Sequence, residues 1–355
     1  MKKALMISGI SAMAVALAAC GNDDNNGEAN AGGDNNGNNG NNGSNEASGD
    51  DGETYTLSIG HTLAEASHYQ EGLEEFKEIV EERSDGRLQI DIFADGALGG
   101  EREMIESLQM GDQEMVLTST GPMSGFAEEV TVVDLPFLFE NHDHAHTVLD
   151  GDIGQGLLDE LEPHDLHGLA WWENGFRHVT NNNHPVEGPE DIDGLSLRTM
   201  ENDIHMAAFE EMGGDPTPMS FTELFTSLQQ GVVDGQENPI PVIHSSRFYE
   251  VQDHLSLTNH VYNPSIMMIS QEVYDELPED LQEILREEAQ AGAENEREIV
   301  QRMEEEFIGD LEDEGMEVVQ DVDLDPFIDA VQPVYEEYED TFGADLIEEI
   351  QNYDY

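Results

Sequence analysis

The sequence predicts an α/β fold in two domains, and three observations lead there. From residue 54 onward, short alternating or wholly apolar runs take turns with segments of helical period, the pattern of a sheet built with crossover connections. About 300 residues follow a low-complexity region, more than one core usually serves. Apolar residues make up 37% of the chain, with 13 Phe, 9 Tyr and 2 Trp, so there is material for a core.

In order, TYTLSIG (54–60) alternates as a strand and leads to a helix over 65–82, closed by the turn sequence SDGR. RLQIDIF (87–93) is a second strand, GGEREMIESLQMG (99–111) a helix with an acidic first turn, and EMVLTST (114–120) a third strand. A single helix is expected over 143–161, then a strand at HGLAWWEN (167–174) and another at GLSLR (194–198). Helices over 201–212 and 221–230 flank PTPM, read as a shaped loop; VVDGQENP (232–239) reads as turn, with Pro239 opening a further helix. SIMMIS (265–270) has the apolar run of a buried strand, and its Met267 and Met268 are read as packing. A long acidic helix runs from Pro278 to about Glu314. MEVVQ, a helix from Pro326 and one from Gly343 complete the chain, without internal repeats.

The first twenty residues read as a processing signal. Lys2 and Lys3 precede ALMISGISAMAVALAA, too short to span a bilayer comfortably, and Leu17-Ala18-Ala19-Cys20 is similar to a bacterial lipobox. This implies that residues 1–19 are removed and that Cys20, the single cysteine, carries lipid and anchors the chain outside the cell membrane. Residues 20–53, rich in Gly, Asn, Asp and Ser, are expected to form a flexible leash.

Eighty Asp+Glu face twelve Lys+Arg, a formal charge of −68. Such a chain has no basic face for phosphates, which excludes nucleic acid as a partner. At about 1 M salt the Debye length falls to about 3 Å, so the acidity reads as adaptation to a salty medium, a halophilic trait. Beyond the signal the fixed cations are Lys77 and nine arginines, and between Glu103 and Ser246 only Arg177 and Arg198 occur. Both sit in apolar surroundings, unlike Arg286, Arg297 and Arg302 on the acidic helix, where an i,i+4 pair explains them. A guanidinium fork suits a carboxylate. Composition alone leaves a ligand carboxylate and a structural Asp or Glu evenly matched as the partner.

GFRHVTNNNHPVEGPEDIDGLSLRTMEN, GGDPTPMSFTELFTSLQQGVVDGQENP and RFYEVQDHLSLTNHVY resemble the substrate-binding proteins of tripartite ATP-independent periplasmic (TRAP) transporters, the C4-dicarboxylate-binding DctP family. ALGGEREMIESLQMGDQEMVLTST and VVDLPFLFENHDHAHTVLDGDIG extend the likeness over residues 55–350. The resemblance implies a two-lobe, periplasmic-binding-protein-like (Venus flytrap) fold with hinge strands and a long helix spanning both lobes. Lobe I is drawn as 54–173 plus 264–303 and lobe II as 174–263 plus 304–355. It further implies that Arg198 binds a ligand carboxylate, although GLSLR departs slightly from the family's run. Arg177 would support that contact, Asn238 hydrogen-bond the same carboxylate, and Phe221 form an aromatic wall. Thr62, Glu101 and Ser119, on the other lobe, correspond to positions that vary with ligand. WWENGFRHVTN is similar to hinge segments of members that take sugar acids. Trp171 and Trp172 face opposite ways on a strand; one belongs to the core, and Trp172 is assigned to the cleft.

The implied protein is a monomeric receptor, with no enzymatic activity, cofactor or metal, that captures a small organic acid and hands it to the membrane permease of a TRAP transporter. Two rivals stand beside it. A zinc receptor would use ENHDHAH (140–146), where His142 and His146 share a helix face at i,i+4; the same segment reads equally as a helix start capped by Asn141 or Asp143. A hydrolase finds no GxSxG, HExxH or Gly-rich phosphate loop, and Glu173 as a general acid competes with Glu173 as a residue on a solvated edge.

Overall fold

The computed structural model describes residues 52–355; the signal segment, the lipidation at Cys20 and the leash expected from the sequence fall, as far as residue 51, outside the described residues. Strand β1 (Tyr55–Gly60) buries Leu57 and Ile59 by two-residue alternation. Helix α1 (His68–Arg83), capped by Ser67, returns the chain to β2 (Leu88–Phe93), parallel to β1. Helix α2 (Glu101–Gln109) then leads to β3 (Met115–Ser119), parallel on the other side of β1. The helix expected over 143–161 is two, α3 (His142–Leu149) and α4 (Asp152–Asp159), because Gly151 between them is extended and starts the second. Asn141 caps α3, its Oδ1 accepting the His144 N–H at 2.9 Å.

The middle of the chain contains β4 (Leu166–Asn181), β5 (Ser196–Thr199), α5 (Asp203–Glu211), β6 (Asp215–Pro218), α6 (Phe221–Gln230), β7 (Gly235–Pro239) and α7 (Ile240–Ser245). Then follow β8 (His254–Ser270), α8 (Gln271–Glu276), α9 (Glu279–Asp313), β9 (Glu317–Val319), α10 (Asp325–Ala330), α11 (Gln332–Phe342) and α12 (Ala344–Gln351). The strands form one mixed sheet in the order β2-β1-β3-β8-β4-β7-β5-β6, with β9 added to β8.

Two strands hold its ends together. β4 and β8, of 16 and 17 residues, run antiparallel along each other. β3 pairs with the Ser265–Ile269 part of β8, whereas β7 pairs with Arg177–Asn181 of β4. The β4–β8 register shifts at Glu173/Gly175, between those regions, where Gly175 supplies a φ of 119°, and again at Arg177/Val179.

Each face of the sheet carries its own core. Trp172, Met267 and Ile269 point to the side covered by α1, α6, α7 and α9, where they meet Phe76, Leu228, Val242 and Ala289. Trp171, Ile266 and Met268 point to the other side, with Ile105, Val148, Phe209 and Ile350. Adjacent residues in opposite cores are the mark of a strand buried on both faces. Helix α9 buries Leu281, Leu285, Ala289, Ala293, Val300 and Met303 at helical spacing, and Arg83–Glu287 and Arg302–Glu71 pairs, both at 2.7 Å, tie it to α1.

Several expectations need correction. GQENP is no turn but the fully buried strand β7, paired by β4 on one side and β5 on the other, and that ladder outweighs its poor strand propensity. PTP is likewise strand β6, held by β5. β4 and β8 extend by eight and eleven residues beyond the runs read as strands, since polar His178, His260 and Asn263 interrupt the apolar pattern yet are buried. The single helix expected from Pro326 is α10 and α11, parted at Val331.

Candidate functional site

Arg198 lies on β5 in register with Gln236 of β7 and Thr217 of β6, and is 1% exposed. Its Nε and Nη2 both donate to the Met219 carbonyl, at 2.9 and 2.6 Å, while Nη1 is buried with no partner. The guanidinium stands 6.0 Å from the Phe221 ring centroid. Three arginines among the described residues are at most 5% exposed, namely Arg177, Arg198 and Arg297. Arg177 pairs with Glu237 and Arg297 with Asp150, but Arg198 meets no carboxylate within ion-pair distance. Loss of water pulls its pKa down to about 10; Glu237 opposes that shift and Arg177 adds to it.

Six of the eight expected ligand residues line the same narrow cavity, of about 10 Å³: Thr62, Glu101, Ser119, Arg198, Phe221 and Asn238. They arrive from separate places in the chain. Thr62 follows β1, Glu101 opens α2, Ser119 ends β3, Phe221 opens α6 and Asn238 sits on β7. The Glu101 carboxylate accepts from Thr118 Oγ1 at 3.1 Å and Ser119 Oγ at 3.2 Å. Burial raises its pKa, opposed first by Arg198 and then by those hydroxyls. Sequence reasoning missed Tyr69, Asn174 and Met200, which share the lining. Asn174, whose Oδ1 is buried without a partner, lies in a segment already singled out and was the findable one.

Arg177 is not an exposed partner of Arg198 in that lining. Its Nη2 donates to Glu237 Oε1 at 2.7 Å and to the Glu237 carbonyl at 2.6 Å, Nε reaches Oε2, and Nη1 donates to Asn263 Oδ1 at 3.2 Å. Burial alone would raise the Glu237 pKa, but Arg177 and then His260 hold it well below the carboxylate range. Thus the structural partner, one of the two readings that composition left open, holds for Arg177. The network continues through Asn263 Nδ2 to Asp134 Oδ1 at 3.1 Å, and Asn202 Nδ2 reaches Asp134 Oδ2 at 2.9 Å. Burial pushes Asp134 up to about 7 against hydrogen bonds from Thr120, Asn263 and Asn202.

Two further expectations are overturned. Trp172 does not reach the cleft: its indole is fully buried between α1 and α9, donates to the Ala289 carbonyl at 2.9 Å, and is seated where Gly72 and Gly292 leave room for the ring. Both tryptophans are core because β4 is covered on both faces. Glu173 is on no solvated edge: it is 0% exposed and lies between His142 and His146.

Comparison with known proteins gives a consistent result. The family model for bacterial extracellular solute-binding protein, family 7, matches residues 59–341. A solute-binding protein of Verminephrobacter eiseniae is 41% identical over 297 residues, 84% of this chain and 89% of that one. A TRAP periplasmic solute binding protein from Polaromonas sp. JS666, bound to D-erythronate, aligns with a TM-score of 0.83 at 48% identity, covering 84% of this chain and 99% of that chain. The sugar acid binding protein DctPAm of Advenella mimigardefordensis, in complex with galactonate, aligns with a TM-score of 0.82 at 36% identity, covering 84% and 97%.

Proposed function

Because the chain belongs to the bacterial extracellular solute-binding proteins of family 7, we propose that it is an extracytoplasmic TRAP receptor whose cavity captures a sugar acid of the aldonate class. The observation that carries this reading is Arg198, a buried guanidinium with one nitrogen unpartnered in a chain of 80 acids. A cation taken out of water without a counter-charge is costly, and an entering carboxylate offsets that cost. Asn238 donates to the same carboxylate, Phe221 walls it, and Arg177, fixed by Glu237, positions β4 against β7 beneath.

Glu101 argues for the rest of the ligand. It lines the cavity together with Ser119, and its carboxylate accepts hydrogen bonds. Sugar hydroxyls can donate to it, whereas the second carboxylate of a C4-dicarboxylate would meet a like charge. The aldonates bound by the Polaromonas and Advenella proteins have this shape, one carboxylate followed by hydroxyls. The lobes, 54–173 plus 264–303 and 174–263 plus 304–355, close on the ligand because it binds the closed form better, and the permease reads that closure. Lipid on Cys20 tethers the receptor to the membrane.

Calorimetry of the mature protein in molar salt tests the proposal with D-erythronate, D-galactonate and succinate. One aldonate binds per chain, succinate binds at least about tenfold more weakly, a gap of about 1.4 kcal/mol, and Glu101→Gln narrows that gap. Tighter binding of succinate than of either aldonate sinks the ligand class; silence toward every organic acid sinks the receptor.

A further inference from the structure

We propose that His142, His146 and Glu173 form a binding site for one divalent transition-metal ion, zinc in the first place, apart from the organic-acid cavity and independent of the function assigned to it. The carboxylate of Glu173, on β4 and 0% exposed, presents each oxygen to a different imidazole. His142 Nδ1 lies 2.7 Å from Oε1 and His146 Nε2 lies 2.8 Å from Oε2. One donor atom from each residue falls within 4.8 Å of the others. Metal bonds of about 2.0–2.1 Å put neighbouring tetrahedral donors about 3.3 Å apart, so the rings need to withdraw by about half an ångström.

The surroundings favour an ion over a plain hydrogen-bonded triad. His142 Nε2, on the far side of the ring from Glu173, faces Glu304 Oε2 of α9 at 3.2 Å. Metal-bound imidazoles commonly donate their second N–H to a carboxylate in this way. Glu304 Oε1 and Tyr262 Oη are buried and have no partner, so polar groups around the cluster are under-satisfied. The rings of Phe176 and Tyr262 pack edge-on against His142, with centroids at 5.0 and 6.1 Å, and form an apolar wall. Asn141, Asp143, Gln301 and Glu305 border an acidic groove open to water that reaches His142 and Glu304. Two nitrogens and a carboxylate suit zinc, cobalt or nickel and not magnesium or calcium.

The location gives the ion a consequence. It would join α3 to β4 two residues before Gly175, at the register shift there, with α9 alongside, so metal and the strand that both ends of the sheet share are coupled. This differs from the zinc-receptor reading of the sequence, because a buried carboxylate closes the site and the ion is a resident part of the fold.

The test uses the mature protein after chelator treatment, titrated with cobalt(II) in molar sodium nitrate. One equivalent binds with the visible bands of a tetrahedral complex, zinc displaces it, and the melting temperature rises with metal. His146→Asn and, separately, the more accessible His142→Asn abolish the bands, while Glu304→Gln weakens binding by about ten- to a hundredfold. Circular dichroism and a cooperative thermal transition of each variant serve as the check that it is folded. Cobalt binding that is unsaturable, or that proceeds unchanged in a folded His146→Asn protein, overturns the site.

Discussion

Replacing Arg198 by alanine removes the one buried guanidinium that meets no carboxylate among the described residues, and its effect can be worked from the geometry. Nη1 is buried and unpartnered, and Nη2 makes one bond, to the Met219 carbonyl, so the ligand-facing edge offers two N–H groups for a fork. Hydrogen bonds involving charged groups are worth about 1.5–3 kcal/mol each, so losing two costs about 3–6 kcal/mol of binding. At about 1.4 kcal/mol per tenfold, affinity falls by about two to four orders of magnitude. Stability should respond in the opposite sense. The guanidinium is desolvated without a counter-charge, so its removal relieves strain on the unliganded fold, offset in part by the Met219 carbonyl left without a donor. Calorimetry with D-erythronate in molar salt reads the first effect and urea unfolding of the unliganded protein reads the second. Arg198→Lys keeps the charge, lacks the fork and falls between. Binding by a folded Arg198→Ala within about threefold of wild type would falsify the assignment.

Glu237→Gln leaves the Arg177 guanidinium buried beside a neutral amide, and urea unfolding should show a loss of about 3–5 kcal/mol; a loss below about 1 kcal/mol contradicts the pairing. Asp134 is raised in the fold from 3.8 to about 7, so the native state keeps its proton while the unfolded state loses it. Its stabilising contribution is therefore full below pH 4 and declines as pH rises to about 7, by up to ~4 kcal/mol. Asp134→Asn removes that term, so the difference in unfolding free energy between wild type and variant should move against wild type across this window; a pH-independent difference refutes it. Asn238→Asp supplies Arg198 with an internal carboxylate: aldonate binding should drop by more than about tenfold while the melting temperature of the unliganded protein rises, and undiminished binding would show that Asn238 and Arg198 do not share a ligand.

How much of this was legible beforehand depended on where apolar periodicity survived. The strand of Leu57 and Ile59, the helix of Phe76 and Val80 and the stripe of α9 could be read because every second, or every third to fourth, residue is apolar and buried. β7 could not, since Gly, Gln, Glu, Asn and Pro are poor strand formers and its buried position comes from two neighbours far away in the chain. The hinge parts of β4 and β8 were lost for a related reason: Asn174, His178 and Asn263 are buried polar residues, Asn174 donating across the strands to Asn263 and His178 accepting from the Asn259 backbone. Six cavity residues were reached because motif order carried them, but Trp172 was misplaced because alternation says that two adjacent residues face opposite ways without saying that both sides are covered.

That same alternation explains why two arginines so alike in the sequence have different fates. On β7, Glu237 lies on one face of the sheet, the face of Arg177, with which it shares the β4–β7 pairing. Gln236 and Asn238 lie on the other, and Gln236 is in register with Arg198. Each guanidinium therefore looks for its partner along one strand, and one finds a carboxylate where the other finds neutral amides. The acid that would quench Arg198 is present one residue away but points through the sheet. In a chain with 80 acids, an unpaired buried arginine requires that the residues around it be kept neutral, and β7 does so by placing Gln and Asn on that face. Glu101 is the one acid that shares its cavity, and it accepts from Thr118 and Ser119 instead of closing on Arg198.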